Sequence, residues 1–251
     1  MFPEVLASRP SGTVCYDARG LLATPAVTGH REGHSLRAFI TFEGIEGSGK
    51  TTQIQLLSEK LEQSGIEHVL TREPGGTEVG NEIRRILLHP ANQDLTPLAE
   101  LLLYQAARAQ HLARVIVPAL AEKKLVLCDR YKDATRAYQG RGRELPADLL
   151  ERLNALDIMA LEPDLTLLFD LDPALALARA RHREQDRHRD EGRFELEDLE
   201  FHRRVREGYL ELARIHSKRI RILEAAGRAD EVHSRVLSLI NSVFPSLGLG
   251  S

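Results

Sequence analysis

Hydrophobic positions change period repeatedly along this chain. Short apolar runs at 38–42, 67–71, 125–128, 165–169 and 220–223 read as five strands. Helical spacing fills the gaps between them. Ile54, Leu57 and Leu61 share one face of a helix that Gly65 stops, and Ile83, Ile86 and Leu87 mark a second. Thr96-Pro97 opens a long helical stretch to about residue 122, as one helix or two. Further helices are expected over 146–159, from Pro173 into an arginine-rich stretch, over 199–216 and over 230–243. Strands that alternate with helices and are themselves continuously apolar predict an α/β fold. Its core is a five-stranded parallel sheet with helices on both faces. No internal repeat or second domain is visible, so a single domain over about 37–245 is expected, with a flexible tail at 246–251.

Composition narrows this picture only a little. The 251 residues are 42% hydrophobic and 28% charged, with a formal net charge of −3. Such a chain is not a wholesale nucleic-acid binder, and 18 Gly with 11 Pro is too few for a low-complexity segment. No run of 18 apolar residues is present to span a membrane. The two cysteines, Cys15 and Cys128, are far apart and form no Cys-x-x-Cys pair, so neither a disulfide framework nor a zinc site is expected. A cytoplasmic, reducing location suits this. Residues 1–36 scatter Pro and Gly without a period. They read as a mobile extension or the product of an upstream start, and Glu4, Asp17 and Glu32 make them too acidic for a targeting segment.

Candidate chemistry begins where the first strand ends. Gly44-Ile45-Glu46-Gly47-Ser48-Gly49-Lys50-Thr51 matches G-x-x-x-x-G-K-[ST] without a mismatch. Glycines let backbone N–H groups curl around phosphate oxygens at a helix N-terminus. Lys50 would reach the β/γ-phosphates, and Thr51 would place its hydroxyl on Mg²⁺. The motif implies ATP or GTP and leaves the reaction open.

A second group of residues suggests an anionic acceptor. Asp129 ends the third strand, where it would lie beside the phosphate loop and hold Mg²⁺ through water. Arg130 would reach a second phosphate from the same crevice. Tyr104 and Arg108, four apart, share a helix face and suit a base with its phosphate, although such a pair is also common on plain surfaces. Thr135 and Tyr138 share a face if their segment is helical. Arg179, Arg181, Arg183, Arg187, Arg189 and Arg193 punctuate 179–193 with acidic residues between them. This stretch is either a solvated charged helix or a lid that neutralises a transferring phosphoryl group and excludes water. An acceptor phosphate, with a second pKa near 6, is largely deprotonated at neutral pH and needs no general base.

Together these pieces resemble the bacterial thymidylate kinase family over about residues 38–243. The resemblance is carried by the run 42–52, by Thr71-Arg72-Glu73-Pro74-Gly75-Gly76-Thr77, by Ala106-Ala107-Arg108-Ala109-Gln110, by Asp129-Arg130-Tyr131 with Ala137-Tyr138-Gln139-Gly140, and by Gly208-Tyr209-Leu210-Glu211-Leu212. It implies a P-loop nucleoside monophosphate kinase fold and ATP- and Mg²⁺-dependent conversion of dTMP to dTDP by in-line transfer. It implies that Gly44, Ile45, Glu46, Gly47, Ser48, Gly49, Lys50, Thr51 and Thr52 hold ATP, with Thr51 and Asp129 at the metal. Glu46 would face the acceptor nucleotide and the metal. Arg72 and Arg130 would grip the acceptor phosphate, Tyr104 would stack on thymine, and Arg108 would contact base or phosphate. Thr135 would face the thymine edge, Tyr138 would lie under the sugar, and Gln139 would join them. The lid, about 179–195, would supply the catalytic arginine, with Arg183 the first choice and Arg181 the second. Ala134 replaces the family's usual Ser. A homodimer without nucleic-acid or membrane partners is implied as well.

Two other readings stay open at this level. One is a deoxynucleoside kinase or a kinase for another monophosphate; a nucleoside kinase would need a base for a neutral 5′-hydroxyl, and Glu73 could serve, although several arginines imply an anionic acceptor. An idle nucleotide-binding module is disfavoured by the intact Lys50, Thr51, Asp129 and Arg130. A GTP switch is disfavoured because Asn-Lys-x-Asp is absent.

Overall fold

The computed structural model describes residues 37–187 and 191–250, with side chains throughout except at 157–158 and 183–187. Five strands form one parallel sheet in the order β2-β3-β1-β4-β5. They are β1 (Ala38–Glu43), β2 (His68–Arg72), β3 (Leu125–Asp129), β4 (Leu165–Asp170) and β5 (Ile220–Glu224). The central strands β1, β3 and β4 are buried almost throughout, as apolar runs covered on both faces must be. The edge strands depart from the continuously apolar expectation. In β5 only Ile220 and Leu223 are buried, and no residue of β2 is fully buried. A strand with one neighbour has a flank open to water, so it tolerates Arg221 or Arg72 where a central strand would not.

The helices are α1 (Lys50–Gln63), α2 (Glu78–Leu88), α3 (Pro97–His111), α4 (Val117–Ala121), α5 (Lys132–Thr135), α6 (Ala147–Asn154), α7 (Pro173–Arg187), α8 (Leu199–Ile215) and α9 (Ala229–Val243). Ile54, Leu57 and Leu61 of α1 are buried, as their spacing predicts. The long stretch after Thr96 is one continuous rod. Between α3 and α4 it widens into a π-helical segment, Leu112–Ile116. Pro118 has no N–H to donate, and the register shifts just before it. The helix expected over 146–159 is shorter. It stops at Asn154, which is buried and accepts from the Gln105 side chain at 3.2 Å, and a 3₁₀ turn follows at Asp157–Ala160.

Strand order reverses at β1, so the crevice at the carboxyl ends of β1 and β3 is where a ligand is expected. A buried polar cluster braces the floor beneath it. Asp133 accepts from both terminal nitrogens of Arg219 (2.6 and 3.0 Å) and from Arg136 (3.2 Å). Arg219 also donates to Thr166 (2.8 Å), whose hydroxyl meets that of Thr41 (2.8 Å). These bonds tie the start of α5 to β1, β4 and the entry to β5. Burial acts to raise the Asp133 pKa, but the two guanidinium groups win and hold it below the ordinary aspartate value. Its stabilising contribution is therefore present at neutral pH and is lost as the pH falls through the depressed value. Arg219→Met should cost about 3 kcal/mol in urea unfolding at pH 7, because it strands a buried carboxylate. The gap from wild type should narrow as the pH is lowered into the carboxyl's titration range.

Candidate active site

The phosphate loop leaves β1 at Glu43 and enters α1 at Lys50. Gly47 and Gly49 sit at φ 73° and 93°, where side chains are disfavoured. At Gly47 a Cβ would lie 1.9 Å from the carbonyl oxygen of Ala176, so the first turns of α7 press directly on the loop. No side chain caps the N-terminus of α1, which leaves its N–H groups to an anion. Lys50 Nζ folds back and donates to the carbonyls of Gly44 (2.9 Å) and Ile45 (2.8 Å) and to Ser48 Oγ (3.2 Å). Burial, with help from Arg130, pushes the ammonium pKa down to about 7. A phosphate beside it would restore the counter-charge that burial withholds.

The turn after β3 distributes three consecutive side chains. Asp129, in register with Phe42 of β1 and Arg72 of β2, accepts from Thr51 Oγ1 at 2.8 Å. Arg130 adopts a left-handed φ of 69°, which is uncommon outside glycine. Its N–H donates to Phe42 O (3.0 Å), and that of Tyr131 donates to Glu43 Oε1 (2.7 Å). The turn sends the Arg130 guanidinium towards the loop, where it donates to Gly44 O (2.8 Å), Tyr209 Oη (3.2 Å) and Glu46 Oε1 (2.8 Å). Glu46 also accepts from Tyr138 Oη. Burial acts to raise the Glu46 pKa, but Arg130, His202, Lys50 and Tyr138 hold it below the ordinary carboxylate range. Glu43 behaves oppositely. Desolvation dominates there and lifts its pKa to about 8, although it accepts from Tyr209 Oη at 2.7 Å.

These groups open onto a cavity of about 290 Å³. The phosphate loop, Asp129 and Arg130 bound one end, and Tyr104, Arg108, Ala134, Tyr138 and Gln139 bound the other. Arg72 at the end of β2 lines it as well. Arg84 of α2 meets Glu191 through two bonds, 2.9 and 3.1 Å, and both residues line the same space with Phe194. Arg108 is 1% exposed; it donates from Nε to Glu73 (2.8 Å), from Nη1 to Gln105 (3.3 Å) and from Nη2 to Thr135 (2.9 Å). Gln139 Nε2 donates to Glu100 at 2.7 Å, which fixes its amide.

Most residues singled out from the sequence therefore meet in one place. Thr135 does not line the cavity. It is buried behind it as the acceptor for Arg108, and Ala134 takes the lining position. The reason is local: α5 passes into a π-helical segment, Arg136–Gly142, whose wider turn separates Thr135 from Tyr138 around the axis. Among the lid arginines, Arg181 is exposed and donates to Glu195 O at 3.4 Å, and Arg179 reaches Ala225 O at 3.5 Å. The side chains of Arg183 and Arg187, and the whole of Arg189, lie outside the described residues. Arg193 does not belong with them. It is 2% exposed and pairs with the buried Glu100 at 2.6 Å, where burial of the paired charges overrides the surface expectation.

Sequence reasoning assigned no role to Glu43, Arg84, Glu100, Phe194 or His202. Glu100 was accessible to it, since it stands four before Tyr104 and eight before Arg108 on the same helix face. Arg84 and His202 had no comparable signal.

The profile of the thymidylate kinase family matches residues 42–236. The thymidylate kinase of Pelobacter propionicus is 52% identical over 203 residues, 80% of this chain and 93% of that protein. That of Symbiobacterium thermophilum is 43% identical over 84% of this chain and 95% of its own length. The crystal structure of thymidylate kinase from Ehrlichia chaffeensis superimposes with a TM-score of 0.66 at 36% identity, covering 81% of this chain and 98% of that one.

Arg193→Leu should lower unfolding stability by about 3 kcal/mol in thermal or urea melts, because it removes one partner of a buried ion pair. A purely catalytic lid arginine would leave the melt unchanged.

Proposed function

The chain belongs to the thymidylate kinase family, and from that premise we propose how its residues carry the reaction. It is a phosphotransferase that converts dTMP to dTDP with ATP as donor. The observation that carries the assignment of roles is one continuous cavity, with the phosphate loop at one end and Tyr104 with Arg108 at the other. Arg72 and Arg130 line the space between, where an acceptor phosphate would meet the γ-phosphate of ATP.

In this reading the loop from Gly44 to Thr52 binds the ATP phosphates, and Lys50 neutralises charge on the transferring group. Arg130 exchanges part of its bond to Glu46 for the acceptor phosphate. Tyr104 stacks on the base, Gln139 borders it, and Tyr138 lies under the sugar, oriented by Glu46. Mg²⁺ fits the donor set, since Thr51 Oγ1 and Asp129 Oδ2 place two hard oxygens 2.8 Å apart beside the loop. No cluster of three His, Cys, Asp or Glu exists among the described residues. With only these two protein oxygens, such an ion would be held mainly by phosphate and water. When bound it would supply charge neutralisation between the β- and γ-phosphates. Arg183 of α7, and after it Arg181, would contribute the catalytic guanidinium, since α7 starts against the phosphate loop. A direct in-line transfer needs no base. Glu73, which a nucleoside kinase would require, has one oxygen on Arg108 and the other on His111, and its pKa is held below the ordinary value by these partners against the opposing effect of burial.

The same reading takes residues 37–245 as one catalytic domain with the lid at about 179–195. It places the protein in the cytoplasm, and no helix among the described residues is long and apolar enough to cross a membrane. It also makes the protein a homodimer. Val79 with Ile86 on α2, and Leu98 with Leu102 on α3, are exposed apolar pairs spaced to share a helix face.

The deciding experiment follows ADP release with ATP and Mg²⁺ against dTMP, dUMP, AMP, CMP and thymidine. Strong preference for dTMP, weaker dUMP and no thymidine turnover is expected; thymidine turnover would return Glu73 to consideration as a base. In the same assay Lys50→Ala should lose about 4 kcal/mol of transition-state stabilisation, roughly a thousandfold in turnover. Tyr138→Phe should melt within about 2 °C of wild type. Its KM for dTMP should rise about tenfold through loss of the bond to Glu46, with weakened discrimination against the ribonucleotide.

A further inference from the structure

Beneath the acceptor end of the cavity lies a buried chain of polar groups that meets the proposed ligand space at Glu73 and Arg108 and continues behind it through His111 and Thr71. Thr71 Oγ1 is 2.6 Å from His111 Nε2, and His111 Nδ1 is 3.1 Å from Glu73 Oε1. The second oxygen of Glu73 accepts from Arg108 Nε. His111 is 0% exposed and Glu73 4%. Polarity fixes the direction of the bond to Glu73: the ionised carboxylate only accepts, so His111 Nδ1 carries a proton. In the neutral imidazole Nε2 is then the acceptor for the Thr71 hydroxyl. Gly76 closes this arrangement. At φ +76° its backbone lies so near that a Cβ would come within 2.5 Å of the imidazole and 2.7 Å of Thr71 Oγ1. Three of the five N–H groups of Arg108 are engaged by Glu73, Gln105 and Thr135. One N–H remains on each terminal nitrogen, and the Tyr131 ring, 5.2 Å from the guanidinium carbon, fixes the plane.

We propose that Thr71, His111 and Glu73 form a positioning relay that holds Arg108 as a fixed donor pair, selecting acceptor nucleotides whose base presents a carbonyl rather than an amino group. This rests on the reading of Arg108 as a base contact. A guanidinium has no acceptor atom, so an amino edge against it leaves two donors facing each other. Without the Thr71 hydroxyl, His111 Nε2 loses its partner and the imidazole is fixed at one end only, so its hold on Glu73, and through Glu73 on Arg108, slackens.

The test is the ratio of kcat/KM for dTMP over dCMP in wild type, Thr71→Val, His111→Phe and His111→Asn. Thr71→Val preserves shape and serves as the deciding variant if His111→Phe fails to fold. Thr71→Val and His111→Phe should lower the ratio about tenfold, mainly by raising the KM for dTMP, while the KM for ATP stays within about twofold. His111→Asn, which keeps a donor near the Nδ1 position, should restore most of it. An unchanged ratio in folded Thr71→Val overturns the relay, as does an equal loss of kcat on both acceptors. Failure of wild type itself to prefer dTMP would instead overturn the reading of the acceptor pocket.

Discussion

The left-handed turn at Arg130 is the constraint on which the rest of the site depends. A non-glycine residue in that region costs about 1 kcal/mol, and here two backbone donors hold it, one on Phe42 O and one on Glu43 Oε1. On either side of it Asp129 reaches Thr51 and Tyr131 packs in the core beneath Arg108. The turn also recruits α8, because Tyr209 Oη accepts from Arg130 and donates to Glu43. β1, the phosphate loop, β3 and α8 thus meet on one strained residue. Such strain survives only where the surroundings over-determine it.

Around this turn, carboxylates keep the guanidinium groups in place before any nucleotide arrives. The pairs are not equivalent. Glu46 and Arg130 both line the cavity and are 12% and 16% exposed at their side chains, so an incoming phosphate can take over part of the interaction. Glu73 with Arg108 and Glu100 with Arg193 are essentially dry. Removing a partner there would leave an uncompensated buried charge, which makes them fixtures rather than exchangeable contacts. In the proposed roles the same residue type would serve two ends, an adaptable grip on a phosphate and a rigid frame around the base, with burial separating them.

The order of strands and helices was legible because apolar runs and helical periods are local signals, and the phosphate loop was legible because its glycines and lysine are contiguous. Asp129 and Arg130 could be placed from their position at a strand end. Thr135 and Arg193 could not. Thr135 needed knowledge of a helical register change, and Arg193 needed a partner, Glu100, that lies 93 residues away. Charge spacing along 179–193 gave no means of telling an arginine that enters the core from one that stays over the cavity. The edge strands were located correctly, but their partial exposure was not legible for a related reason: local hydropathy does not say which strand has a neighbour on only one side.

The register change after α5 separates side chains that a regular helix would crowd onto one face. In a regular helix Thr135 and Tyr138 would share a face and compete for the same wall of the cavity. The π-helical segment at Arg136–Gly142 sacrifices regular hydrogen bonding, yet Tyr138 and the adjacent Gln139 both line the cavity while Thr135 turns inward to Arg108. Neighbouring residues then act on the ring and amide side of the pocket, and the residue before them secures the guanidinium from behind. A uniform 3.6-residue period would not divide these tasks as cleanly, which is a physical reason for irregular helix to sit at the site and not elsewhere on the same element.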